Sequence, residues 1–208
     1  FEDAQNNIWF INHLKDSLVL GRVNSKTEIS KVYPYEKTFG NTILGFQNLL
    51  QSRKDGNIWY IERSGNLKVW TPKSDNFELV VAHGDKIPGT EINDTLMSLN
   101  TLNSDDILLI GKHGLYVFDP VTRQSIQQYT NNEEGNNFLP NADVQFAFAD
   151  LNDSYWVIHV NNEITVIDSK NNSYNHFVFG QGPLNFQKGY KNIDFIVPGE
   201  QNKEGIVF

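Results

Sequence analysis

The feature that most constrains this chain is a short apolar stretch that returns along its length at nearly constant spacing. "KDGNIWYI" (54–61) runs from a charged turn containing Gly56 into Ile58, Trp59, Tyr60 and Ile61. "EDAQNNIWFI" (2–11) has the same form, "NSDDILLI" (103–110) carries Leu109 where the tryptophan stood, and "DLNDSYWVI" (150–158) restores it at Trp156. A weaker copy, "NKEGIVF" (202–208), puts Phe208 at the anchor. Anchors at Trp9, Trp59, Leu109, Trp156 and Phe208 stand 50, 50, 47 and 52 residues apart. A period of that size points to a repeat array.

Within a unit the local pattern is β. The anchor strand is almost wholly apolar, as a strand buried on both faces should be. A short polar turn follows (Ser64-Gly65-Asn66, His113-Gly114, Asn161-Asn162), then a second strand: "LKVW", "LYVF", "ITVI". Trp70, Phe118 and Ile167 thereby share one phase of the repeat. Pro72 and Pro120 end that strand, since proline lacks the ladder donor. A third strand comes next ("FELVVA", "SIQQYT", "YNHFVF"), and after a long connection a fourth leads into the following anchor ("ILGFQNLL", "TLMSLNTL", "VQFAFA"). No segment has helical periodicity. Four antiparallel strands per repeat is the pattern of a β-propeller blade, and β-solenoid coils are shorter than these units. The expected fold is all-β: a single propeller fragment over 1–208, with about four four-stranded blades and a partial fifth. Trp9, Trp59, Trp70, Phe118 and Trp156 are the expected core. An aromatic sugar platform from Trp9, Trp59 and Trp156 is disfavoured, because their apolar flanks place them inside.

Composition narrows the function classes. The 208 residues carry a net charge of −8 and no basic run, which argues against nucleic acid or an anionic membrane surface as partner. The absence of cysteine removes disulfides, thiolate metal sites and cysteine nucleophiles. No apolar run approaches the roughly 20 residues needed to cross a bilayer as a helix.

"KDGNIW" followed by "GLYVFDP" resembles the two-component regulator propeller repeat, an acid–polar–Gly–Asn–Ile–Trp turn and then a Gly-Leu-aromatic strand. The match is good at 53–72 and 103–120, fair at 1–12 and 150–168 and weak at 202–208; Leu109 and the solitary Gly114-Leu115 pair depart from it. The resemblance implies the periplasmic sensor region of a hybrid histidine kinase, built from seven-bladed propellers, with kinase, receiver and DNA-binding parts elsewhere. It implies a glycan-derived ligand, or a scaffold for the sensor dimer, and no catalysis by this segment. Phe1 and Phe208 fall inside blades, so an open arc is expected, completed by further blades or by self-association. A closed four-bladed ring using 192–208 is the other arrangement the spacing permits.

Motifs for chemistry are sparse. The five histidines form no metal-ligand spacing, and no nucleophile elbow or phosphate loop occurs. No catalytic residue, metal or cofactor is expected. Asn93-Asp94-Thr95, Asn152-Asp153-Ser154 and Asn171-Asn172-Ser173 read as exposed turns. The repeat itself suggests one polar group: His13, Arg63 and His113 each lie four residues past an anchor, with Asn161 and Asn162 in the corresponding turn of the next unit. These turns, and the long connections 34–43, 84–94, 131–141 and 180–191, are expected on one face, where an oligosaccharide would find hydrogen-bonding groups. A propeller lyase or glycosidase, which would need a carboxylate pair or a His/Tyr/Arg set, and a purely structural interaction scaffold are the alternatives.

Overall fold

The computed structural model describes residues 2–14, 17–34, 49–62, 64–131, 138–141, 143–161 and 163–178. The expected fifth anchor, Phe208, and the strand 192–208 lie outside them. Four antiparallel meanders follow one another. The first is β1 (Asn7–Leu14), β2 (Ser17–Asn24) and β3 (Ser30–Pro34); the second is β4 (Leu49–Gln51), β5 (Ile58–Ile61), β6 (Leu67–Thr71) and β7 (Asn76–Val81). The third is β8 (Leu96–Thr101), β9 (Ile107–Gly111), β10 (Gly114–Asp119) and β11 (Gln124–Thr130). The fourth is β12 (Val144–Ala149), β13 (Ser154–His159), β14 (Ile164–Asp168) and β15 (Ser173–Phe177). Among the described residues the strand roles expected from the repeat hold in the second, third and fourth blades, with β6 and β10 ending at the residues before Pro72 and Pro120, while the first sheet shows three strands.

Burial explains the order. Every residue of β5 and β9 is buried, whereas outermost β7 and β15 are mostly open to solvent. Because successive strand residues point to opposite faces, each middle strand feeds two cores. Trp59, Ile61 and Val69 meet Leu99, Ile107, Leu109 and Phe118 between the second and third blades. Leu108, Ile110 and Tyr129 meet Ala147, Tyr155 and Val157 between the third and fourth. Trp9, Leu20 and Tyr33 meet Ile58 and Trp70 between the first and second. The sheets thus stack face to face as an open arc. Trp59 packs edge-on against Phe118 at 5.3 Å, and Trp9 against Trp70 at 5.0 Å. Trp156 is only partly buried, stacked on Phe148 on the far face of the fourth blade, where no described sheet covers it.

The turns carry the repeat more faithfully than the anchors. Asn6, Gly56, Asp105 and Asp153 all have positive φ, at 63°, 71°, 64° and 59°. Glycine takes that left-handed conformation freely, and Asn and Asp tolerate it best among the rest. Each lies three residues before Trp9, Trp59, Leu108 and Trp156. The pairings Ile58↔Trp70, Ile107↔Phe118 and Tyr155↔Ile167 give the same alignment. The third anchor is therefore Leu108, one residue before the Leu109 expected from spacing. Leu108 faces the next blade, as the tryptophans do, and Leu109 faces the previous one. A second left-handed position recurs in the outer hairpins, at Glu28, Asp75, Arg123 and Asn172.

Links between successive inner turns bind the blades laterally. Ala4 N donates to Gln51 Oε1 at 2.9 Å, Lys54 Nζ to Asp106 at 2.5 Å, and Asn103 N to Asp153 at 2.9 Å. Asp75, in the second blade's outer hairpin, accepts from Arg22 (2.8 Å), Lys31 and Tyr33 (2.9 Å) of the first. Burial and that carboxylate push the Tyr33 phenol up to about 12.

Two substitutions test this account. Nothing lies within 4 Å of a Cβ built on Gly56, so Gly56→Asn is expected within about 0.5 kcal/mol of wild type in denaturant titration, while Gly56→Val costs about 1–2 kcal/mol through backbone strain alone. Trp59→Ala, which empties a blade interface, is expected to cost about 3–5 kcal/mol.

Candidate functional site

The turns after β5, β9 and β13 and the connections entering the next blade are stitched together on one face. His83 N donates to Asn66 Oδ1 at 2.8 Å, Lys112 N to Thr95 O at 3.0 Å, Val144 N to Lys112 O at 3.0 Å and Val160 N to Asp143 O at 2.9 Å. Of the residues expected to form a polar group there, Arg63, Asn162 and the His13 side chain lie outside the described residues; the backbone of His13, in β1, pairs with that of Leu18 in β2. His113 occupies the two-residue turn between β9 and β10, half-exposed, with Nδ1 3.9 Å from Asp143 Oδ1. With the anchor at Leu108, the residue at the phase of Arg63 is Lys112, and His113 is one further on. Exposed Asn161 closes its own turn, its Oδ1 accepting from Glu163 N at 3.2 Å.

Two buried polar constellations on this face were not legible beforehand. Asp94, which reads in the sequence as part of an exposed turn, is buried. Its carboxylate accepts from Thr95 N (2.7 Å), Tyr116 Oη (2.8 Å) and His113 N (3.1 Å). Gly111 leaves room for it, since a Cβ there would stand 2.1 Å from Asp94 Oδ2. Burial pushes the Tyr116 phenol up, and the facing Asp94 adds to the shift. Asp94 thereby holds the turn that presents His113.

The second constellation spans the fourth blade. His159 Nε2 lies 2.7 Å from Thr165 Oγ1, which lies 2.9 Å from His176 Nδ1; His176 Nε2 lies 3.3 Å from Glu163 Oε2. Asn141 Nδ2 reaches the same carboxylate oxygen at 3.4 Å. Burial raises Glu163, but hydrogen bonds from Asn161 and Asn141 and the nearby imidazoles outweigh it and hold the carboxyl below its ordinary range. His159 and Thr165 are wholly buried. Nothing in the spacing of 159, 163, 165 and 176 signals this cluster; only strand pairing, Thr165↔His176, brings it together.

A cleft of about 730 Å³ opens on the rim of the third blade, between 89–92 and 125–128. Pro88 O accepts from Ser125 N at 2.7 Å, and Gly89, at φ 86°, would drive a Cβ to 2.5 Å from Ser125 O. Gln128 Oε1 is buried there without a partner among the described residues. Polar walls of this kind offer hydrogen bonds to a neutral polar ligand.

Burial, aided by nearby His176, pushes the His159 imidazole down from 6.5 to about 4. Between those values an unfolded chain binds a proton that the folded one refuses. This contribution is therefore complete above about pH 6.5 and is lost as pH falls towards about 4. Wild type is expected to lose about 2 kcal/mol between pH 7.5 and 5 from this group, and His159→Gln to show a correspondingly shallower decline by denaturant titration at the two pH values.

The chain matches no protein-family model and no curated protein. Among solved structures it is similar to the extracellular domains of two hybrid two-component systems of B. thetaiotaomicron. One is 15% identical over 96% of this chain and 26% of that one, with a TM-score of 0.65; the other is 15% identical over 86% and 24%, with 0.58. PorZ, a surface component of the type-IX secretion system of Porphyromonas gingivalis, is 15% identical over 84% and 23%, with 0.51. The chain spans about a quarter of the length of these proteins. At such identity the likeness is one of fold: this chain is an open arc of a β-propeller, of the kind found in the extracellular domains of hybrid two-component systems.

Proposed function

We propose that the chain is part of the extracytoplasmic, periplasmic sensor propeller of a hybrid two-component histidine kinase, and that it recognises a glycan-derived ligand. The observation that carries this reading is the extent of the likeness: all but a few per cent of the chain superimposes on part of one such extracellular domain. The polar turns and the rim cleft supply the hydrogen-bonding groups a neutral sugar would need. The arc would be completed by further blades of a larger propeller, and the kinase would lie elsewhere in the parent protein. Ligand would act by differential binding: whichever arrangement of the sensor dimer it binds more tightly becomes more populated, and the kinase follows.

Isothermal titration of the pure protein against a panel of oligosaccharides, with product analysis of the same mixtures, tests the proposal. Binding without cleavage is expected, weakened about tenfold or more by Arg63→Ala and by His113→Ala. Cleavage abolished by a point mutation would establish a lyase or glycosidase instead. Neither binding nor cleavage by the whole panel would favour an interaction scaffold, and unchanged affinity in both variants would remove the polar turns from the site.

A further inference from the structure

The His159–Thr165–His176–Glu163 chain couples the protons of two imidazoles through one hydroxyl group. Thr165 has one hydroxyl proton and sits between two imidazole nitrogens, 2.7 and 2.9 Å away. When it donates to one ring it can only accept from the other. At the far end His176 Nε2 faces the Glu163 carboxylate at 3.3 Å, a contact that requires a proton on Nε2.

Neutral His176 then has a bare Nδ1, which must accept the Thr165 hydroxyl proton. Thr165 in turn accepts from His159 Nε2–H. This leaves His159 Nδ1 as a lone pair with no hydrogen-bond partner among the described residues, in a ring fully removed from water. A second proton on His176 reverses the sequence. Nδ1–H now donates to Thr165, which frees the threonine hydroxyl proton for His159 Nε2 and places the single His159 proton on Nδ1. The Asp143 carbonyl, already the acceptor for Val160 N–H, stands beside that ring. One proton enters from solvent at His176, which is partly exposed, while His159 stays neutral and only exchanges which nitrogen carries its proton.

We propose that this chain is a pH-sensitive switch, in which the charge on His176 sets the tautomer of buried His159 and thereby the attachment of Asn141 and Asp143 to the fourth blade. The groups facing it are Glu163 on the β13–β14 turn, Asn141 and Asp143 on the incoming connection, and His113 of the third blade beyond Asp143. Charged His176 adds an ion pair to Glu163, which also holds Asn141, and turns His159 Nδ1–H towards the Asp143 carbonyl. Acidification thus strengthens the hold of the fourth blade on Asn141 and Asp143. The device stands independently of the ligand reading.

Imidazole nitrogen NMR of the ¹⁵N-labelled protein, followed from pH 8 to 5 with single His→Gln variants for assignment, tests it. The His159 proton is expected to move from Nε2 to Nδ1 in step with the charging of His176, His159 itself staying neutral. Thr165→Val should break the correspondence and Thr165→Ser keep it. Should the valine variant fail to fold, His176→Gln should hold His159 in one tautomer over the whole range. One unchanging His159 tautomer in wild type, or a change that persists in His176→Gln, would overturn the proposal.

Discussion

The second strands of the two middle blades, β5 and β9, are buried along their whole length, and nearly everything else in this molecule is arranged around that demand. A strand such as Ile107–Gly111, with no residue reaching water, has no stable existence as part of a lone sheet. It needs a blade before it and a blade after it. The large rings answer the demand economically: one indole or phenyl group spans the gap of about 10 Å between stacked sheets that smaller residues fill in layers. Where the third blade offers Leu108 instead of tryptophan, Tyr129 and Tyr155, packed edge-on at 5.5 Å, occupy the space from either side.

How much of this was legible in the sequence depends on the kind of signal. Strand order, hairpin positions and the buried tryptophans follow from local alternation and from the recurring turn. The one-residue error at Leu109 arose because "ILLI" is apolar throughout, so its hydrophobicity does not say which leucine faces which neighbour. Asp105 does say so, since its left-handed backbone marks the same point in the turn as Gly56, but a conformation is invisible until the residue types Asn, Gly and Asp are recognised as one set. Trp156 reads as core by analogy with Trp59, and its partial exposure depends on what packs beyond it, which no local pattern records.

The candidate site was less legible than the fold, for a related reason. His113 and Asn161 were found because the repeat places turns at predictable intervals. Asp94 and the His159–Thr165–His176 chain were missed because buried polar partners are chosen across strands, with no periodic spacing. Their environment also reverses ordinary expectations: a carboxylate in an apparent surface turn is enclosed by three donors, and an imidazole is kept neutral well into the acid range.

The succession of sheets has a mechanical corollary. Among the described residues the core clusters between sheets each join a blade to its immediate neighbour, so cohesion here is a series of nearest-neighbour couplings and not a property of one central core. The couplings differ in make: indole and phenol rings with a cationic clasp between the first two blades, a Trp–Phe contact in the middle, aliphatic and tyrosine packing at the last. Such a series opens from its weaker joint and can do so without dissolving the others. Amide exchange would accordingly be graded along the chain, slowest where β9 and β10 sit between two neighbours. A blade nearer an end could then reshape its loops while the middle of the arc stays closed.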